Sequence, residues 1–421
     1  MFSHFPNLLQ VLVAQELLKQ LEAKAAGCGH DPEQQGKLLA VSTGLKAHCA
    51  ANMAGLFSAV QQCLQQELTI VNQCLDPKIE QAAIRQKIAL LKQKNVETEE
   101  MMRGCKSDME GLTSEFYQFK EFQHKFDQFK QQNGENNQEV KNGKARLDKF
   151  QQQVAQKHLL LTNRRDELVK VMMVNFQAVQ ELQTHVLEKE LINWKREQQL
   201  AGNGKQMTLS LETLQEWCEG LAQVLWEMRT QTKQLMHDRE QLVDNMQHTA
   251  ALPELLKGVT TLLSNLVTGT FIIEKQPPQV MKTNTRFTAT VRLLVGGQLQ
   301  VHMASPSVCV NIVSESQAAQ LLNSTAHGSG KREEYSSGEI LNGQGNMEYH
   351  AATRQVSVTF RNLQLKRIKR TEKKGTESVM EEKFSVYFWT EFQIGELKFQ
   401  VWTLSLPVVV IVHGRREATG D

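Results

Sequence analysis

The sequence predicts a multidomain chain that is α first and β second: an elongated four-helix coiled-coil bundle followed by a β-sandwich. Three observations carry this. Of the eight prolines, none falls in the 175 residues from 78 to 252, a stretch rich in Gln, Glu, Lys and Leu. Proline removes a backbone donor and clashes with the preceding turn, so a long proline-free run of this composition is what long helices require. Within it Leu214, Leu221, Met228, Leu235 and Leu242 recur every seven residues, a coiled-coil period. From residue 284 the apolar period changes to two: Phe287, Ala289, Val291 and Leu293 alternate with Thr288, Thr290 and Arg292.

Taken in order, residues 1–75 hold short apolar patches at helical spacing, such as Leu17, Leu18 and Leu21, and read as part of a small helical domain. Residues 76–270 supply the bundle. Its first helix carries Phe119, Phe122, Phe126 and Phe129. Its second carries Leu161, Leu168, Met172, Val179, Leu182 and Val186. Its third carries the Leu214 seam with Leu211, Cys218 and Leu225 three residues ahead of the first three seam positions. A shorter fourth runs through Leu255, Val259, Leu262, Leu263 and Leu266, and Pro277-Pro278 is expected to stop it. Polar, glycine-bearing loops at residues 131–137 and 201–204 make the helices antiparallel neighbours. A 40-residue helix is about 60 Å long, so the bundle should be elongated.

Residues 271–414 supply the sandwich. Expected strand material lies at 287–293, at Leu299, Val301 and Met303 after the Gly296-Gly297 punctuation, and at 356–360, 384–388, 392–394, 397–404 and 408–412. The run Val408-Val409-Val410-Ile411-Val412 lacks polar alternation, which predicts burial on both faces. Residues 415–421 follow the last apolar run as a short tail.

Composition limits the function. The net charge is only +2, yet residues 271–421 carry 18 Lys and Arg against 14 Asp and Glu, whereas the first 270 carry 30 against 32. The basic excess is therefore local to the β region, where a site rather than a general field is expected. Seven scattered cysteines without a Cys-x-x-Cys pair read as free thiols in a reducing compartment, with neither a disulfide framework nor a zinc site. The apolar segment at 8–13 is too short to cross a bilayer and lacks the basic flank of a signal peptide. The reading is a soluble, intracellular protein without membrane insertion. No phosphate-cradling glycine loop, His-Glu-x-x-His or nucleophile elbow occurs, so no enzyme, cofactor or metal is expected.

The strongest chemical signal is the run from Lys366 to Lys374. Six of its nine residues are basic: Lys366, Arg367, Lys369, Arg370, Lys373 and Lys374. Such a run is as often a solvated turn as a binding loop. Lys282 and Arg286 add charge at the first strand of the sandwich, which favours phosphate contact on a duplex, with affinity set by counterion release.

At this point longer motifs accumulate. They are Phe271-Ile272-Ile273-Glu274-Lys275-Gln276-Pro277-Pro278, Glu190-Leu191-Ile192-Asn193-Trp194-Lys195-Arg196, Ser337-Gly338-Glu339-Ile340-Leu341-Asn342, Gly375-Thr376-Glu377-Ser378-Val379, and Leu404-Ser405-Leu406-Pro407 through His413-Gly414. Together they resemble the signal transducer and activator of transcription (STAT) family, most of all the branch with its fifth and sixth vertebrate members and the insect members. The resemblance runs over about residues 150–414. It implies a four-helix coiled coil followed by an immunoglobulin-like DNA-binding domain. It also implies a latent factor of cytoplasm and nucleus, activated in receptor-kinase (JAK-STAT) signalling and binding palindromic TTC…GAA sites as a dimer. Double-stranded DNA, a homodimer or dimer with full-length relatives, and receptor, kinase, nuclear import or co-regulator proteins on the coiled coil would be the partners.

Carried over by position, Lys282, Arg286, Lys366, Lys369, Arg370, Lys373 and Lys374 would touch phosphates. His413 would approach base edges, where an imidazole can meet a purine N7 or O6. Gln298 stands where close relatives carry a lysine, which would remove one phosphate contact. The resemblance ends at Gly414, so the expectation is a chain lacking the SH2 and phosphotyrosine regions. The alternative reading is a truncated isoform that modulates the full-length factor as an interaction or dominant-negative module.

Overall fold

The computed structural model describes residues 7–27, 32–49, 53–73, 77–134, 137–201, 204, 207–240, 251–323, 335–370 and 382–411. It forms two compact units, Met1–Gln81 and Ala82–Asp421. The first holds α1 (Asn7–Gly27), α2 (Pro32–Cys49) and α3 (Met53–Gln73). Ala14, Leu18 and Leu56 are its buried centre, backed by Leu45, Phe57 and Val60. An ion pair from Lys46 to Glu22 ties α2 to α1.

In the second unit, α4 (Pro77–Asn133) and α5 (Gln138–Thr184) form a long antiparallel pair. Gly134, at φ +75, lets the chain leave α4 in the left-handed region, and its N–H donates to the Lys130 carbonyl at 3.1 Å. Asn137 then caps α5, its side chain accepting from Glu139 N at 2.9 Å. A single π-helical turn, His185–Glu190, joins α5 to α6 (Leu191–Ala201). After them come α7 (Leu211–Glu240) and α8 (Ala251–Gly269).

The heptad seam is the bundle core. Leu211, Leu214, Cys218, Leu221, Leu225, Met228 and Leu235 of α7 are buried against Ile88 and Leu91 of α4, Leu168, Met172 and Val179 of α5, and Val259, Leu263 and Leu266 of α8. Leu242 lies outside the described residues. Each such leucine contributes about 1.5–3 kcal/mol by leaving water. Buried amides set the register between helices. Asn95 Nδ2 donates to Val224 O at 2.9 Å and Gln231 Nε2 to Asn95 O at 2.9 Å, while Gln183 Nε2 donates to Leu262 O at 2.9 Å. A slipped register would leave these groups unpaired at a cost of about 1–3 kcal/mol each.

The aromatic repeat of α4 behaves differently. Phe119 is buried edge-on against Phe150 of α5, but Phe122 and Phe129 are exposed. At this far end α4 is accompanied by α5, through Glu115–Lys157 and Phe119–Phe150, so a two-helix stretch buries one face rather than a full bundle interior.

The β region opens with β1 (Phe271–Lys275), β2 (Val280–Lys282) and β3 (Arg286–Leu293). Next come β4 (Ser307–Ser314), the short helix α9 (Glu315–Asn323), β5 (Gly338–Leu341), β6 (Gln344–Asn346) and β7 (Glu348–His350). The long strands β8 (Gln355–Ile368) and β9 (Lys383–Ile394) and then β10 (Leu397–Leu404) and β11 (Val408–Ile411) complete it. One sheet runs β1-β3-β8-β5, with β7 also on β8. The other runs β2-β11-β9-β4-β6, with β10 also on β9. Phe287, Ala289, Val291, Phe360 and Leu363 face Val310, Phe384, Val386 and Phe388 across the sandwich.

Three sequence expectations change. Residues 299–303 are no strand: the chain turns through 294–300 into a 3₁₀ segment, Val301–Ala304, flanked by left-handed Gln300 and Ser305, and Met303 is 77% exposed. Pro277-Pro278 separates β1 from β2, because α8 has already ended at Gly269. Strand β11 is buried at Val408 and Val410 but only half-buried at Val409 and Ile411, which alternate onto the outer face of the sheet.

Bundle and sandwich share one continuous core within this second unit. Arg292 of β3 points outward from its sheet yet is 1% exposed, because α7 lies over it. Its guanidinium donates to Gln215 Oε1 of α7 and pairs with Glu274 of β1 at 3.4 Å. Burial pulls its pKa down, and the carboxylates of Glu274, Glu212 and Glu219 push back. Gln215 Nε2 passes the link on to Glu219 at 2.8 Å and to Arg354 O at 3.3 Å. Gln198 of α6 donates at 3.0 Å to the carbonyls of Ile273 and Glu274. At the β9–β10 hairpin Glu396 bonds Lys233 Nζ at 2.6 Å and Arg229 of α7, and these cations hold its carboxyl at about 2.

Candidate nucleic-acid interface

The end of the sandwich away from this junction gathers the basic residues. Strand β2 ends at Lys282, in parallel register with Ile411 of β11. The chain reverses through Asn284, left-handed at φ 63, whose N–H donates to Leu365 O at 2.7 Å. Gln364 Nε2 returns a bond to Asn284 O at 3.0 Å, and Thr285 Oγ1 donates to Lys282 O at 2.7 Å. Arg286 then starts β3 opposite Gln364. Beyond it β8 carries Lys366 to Ile368 onward beside β5, and Lys369 N donates to Ser337 O at 2.6 Å. Topology thus brings Lys282, Arg286, Lys366, Lys369 and Arg370 to one end, although 88 positions separate the first from the last in the chain.

Their electrostatic states differ. Lys282, Arg286 and Lys369 are exposed and have no acidic partner among the described residues. Lys366 Nζ pairs with Glu339 Oε1 at 3.2 Å, and Arg367 Nε with Glu339 Oε2 at 2.9 Å. Arg370 is engaged within the sandwich: its side chain is only 19% exposed, pairs with Glu382 at 3.3 Å, donates to Val410 O at 2.6 Å and lies 6.0 Å over the Phe384 ring. It clamps the end of β8 to β11. Lys373, Lys374 and His413 lie outside the described residues.

One residue escaped the sequence reading. Lys383 opens β9 out of phase with buried Phe384, Val386 and Phe388, so it faces outward beside Val409, exposed and without an acidic partner among the described residues. That alternation was a usable signal. Arg367, counted in the basic run but not carried over as a phosphate contact, is engaged by Glu339. Gln298 sits at the opposite end, in the turn beside Gly297, which approaches Glu219 of α7. Its identity therefore takes nothing from the basic end. Among the described residues Cys63, Cys105, Cys218 and Cys309 are not disulfide-bonded, and burial pushes the Cys218 thiol up to about 12. Among the described residues no helix is long and apolar enough to cross a membrane.

A helical bundle fused to a β-sandwich whose far end carries exposed cations without acidic partners among the described residues defines a class of protein with a surface suited to a polyanion. Comparison makes this particular. The STAT protein DNA binding domain matches residues 275–411, and the STAT transcription factor coiled-coil domain matches residues 85–263. The signal transducer and transcription activator of Drosophila melanogaster is 43% identical over 259 residues, which are 61% of this chain and 33% of that protein. The chain belongs to the signal transducer and activator of transcription family, whose members are transcription factors and not enzymes. It spans about a third of the length of that curated relative. Among solved structures, the crystal structure of STAT2 in complex with IRF9 is similar at 20% identity, covering 41% of this chain and 97% of that one, with a TM-score of 0.23.

Proposed function

We propose that this chain is the coiled-coil and DNA-binding part of a sequence-specific transcription factor of receptor-kinase (JAK-STAT) signalling. In this reading residues 76–270 dock receptor, kinase, nuclear import or co-regulator proteins, and residues 271–414 grip double-stranded DNA. The protein works in cytoplasm and nucleus without entering a membrane. It binds palindromic TTC…GAA sites as a homodimer or with a full-length relative.

The observation that carries the reading is the convergence of Lys282, Arg286, Lys369 and Lys383, four cations without acidic partners among the described residues, on one end of the sandwich. Phosphates fix position there, and base edges are read by a group such as His413. Lys366, Lys373 and Lys374 would extend the phosphate track, while Arg370 would hold its shape. One sandwich contacting roughly four phosphates should show a log–log salt slope of roughly −3 to −4.

The test is titration of a TTC…GAA duplex and a scrambled duplex at several salt concentrations. Salt-dependent binding with preference for the palindrome is expected. Absent or salt-insensitive binding would overturn the reading. His413→Ala should narrow the gap between the two duplexes, and an equal loss on both would remove His413 from the base-reading role.

A further inference from the structure

The DNA-facing end contains a carboxylate that works against it. Strand β8 carries one more residue than β5 at this point: Glu339 is opposite Arg367, yet Ile340 is opposite Leu365, so Lys366 is the extra residue of a bulge. In a regular strand neighbours point to opposite faces. A bulge re-aims them, and here adjacent Lys366 and Arg367 both reach Glu339, each on its own oxygen, at 3.2 and 2.9 Å. One acidic residue thus engages two of the cations in the basic run.

We propose that Glu339 is an electrostatic brake on DNA binding, which rests on the reading above. Ion pairs this open to solvent add little to stability. Their effect falls on the field. Non-specific affinity is almost wholly the release of counterions by cations that meet phosphates. With Glu339 in place, a phosphate approaching Lys366 or Arg367 must displace a carboxylate and then sit beside its charge. The end therefore engages fewer phosphates than its composition suggests, and its hold on non-cognate duplex is shortened.

The test compares wild type with Glu339→Gln on a scrambled duplex across a salt series. Gln is close in size and still hydrogen-bonds, so a structural role alone would leave the slope unchanged. The brake predicts a slope steeper by about one to two and a severalfold gain in affinity at low salt. A double-mutant cycle gives a second readout. Lys366→Met should cost much less binding than Lys369→Met in wild type, and the two should cost alike once Glu339 is Gln. Wild-type binding with an unchanged or shallower slope in Glu339→Gln overturns the brake alone. Absence of binding by both proteins overturns the brake and the DNA reading together.

Discussion

At the scale of residues, the cations of the sandwich end divide by their partners. Lys369→Ala should lower affinity alike for all duplexes and flatten the salt slope by about one. Arg370→Lys should act otherwise, because a lysine cannot serve the Glu382 carboxylate, the Val410 carbonyl and the Phe384 face at once. Its expected result is a lower melting temperature, by about 1–3 kcal/mol of stability, with the salt slope of the surviving protein unchanged. Calorimetry beside the salt titration separates the two outcomes. The basic run was legible in the sequence, but this division was not. It depends on Glu339, 27 positions from Lys366 and brought near by the pairing of β5 with β8, and on Val410, 40 positions from Arg370 and brought near by the packing of one sheet on the other. Local composition reports how many charges a segment has and says nothing of which are already answered.

Among the elements, the helices were readable because each buries a stripe at its own period, and Leu214, Leu221, Met228 and Leu235 all lie in the core. The long strands β3, β8, β9 and β10 were readable by alternation for the same reason, whereas β1, β2 and the eight-residue β4 were overlooked, although Val308, Val310 and Ile312 alternate in β4. The short strands β5, β6 and β7 were missed, since residues such as Gly338, Gln344, Gly345 and Glu348 carry no apolar alternation and are held by their neighbours' ladders. The segment after Gly296 misled because its apolar residues serve a turn packed on α7. Gly297 shows how tight that packing is: a Cβ there would stand 2.5 Å from the Arg354 carbonyl oxygen and 3.2 Å from Glu219 Oε1. Backbone cannot swing away as a side chain can, so Gly297→Ala should destabilise by about 1–3 kcal/mol. Thermal denaturation measures it, and an unchanged midpoint would contradict the close approach.

For the molecule as a whole, the continuity of core from bundle to sandwich predicts that residues 82–421 unfold in one transition. Arg292→Ala should weaken that transition by about 1–3 kcal/mol, because it removes a fully covered side chain and leaves Gln215 Oε1 without its donor at the junction. The Glu396 latch gives a pH signature. Its folded pKa of about 2 lies below the ordinary 4.5, so its contribution is complete above the ordinary value and is lost as pH falls toward 2. The difference in midpoint between wild type and Glu396→Gln should stay constant from neutral pH down to about 5 and close below it. The π turn at His185–Glu190 bears on the same junction. Leu168, Met172, Val179 and Leu182 of α5 and Val186 in the turn keep one angular phase, and the next buried positions are Leu191 and Trp194. One added residue per turn advances a helix by about 100°. The turn is thus a phase shifter in a rod: it lets one continuous helix face its bundle partners along one part and hand Gln198 to the carbonyls of Ile273 and Glu274 along the next. Deleting Lys189 should restore α-helical winding and rotate Trp194 and Gln198 off their contacts, read as a lower melting temperature, while Arg292–Gln215 and the Glu396 latch still join bundle to sandwich.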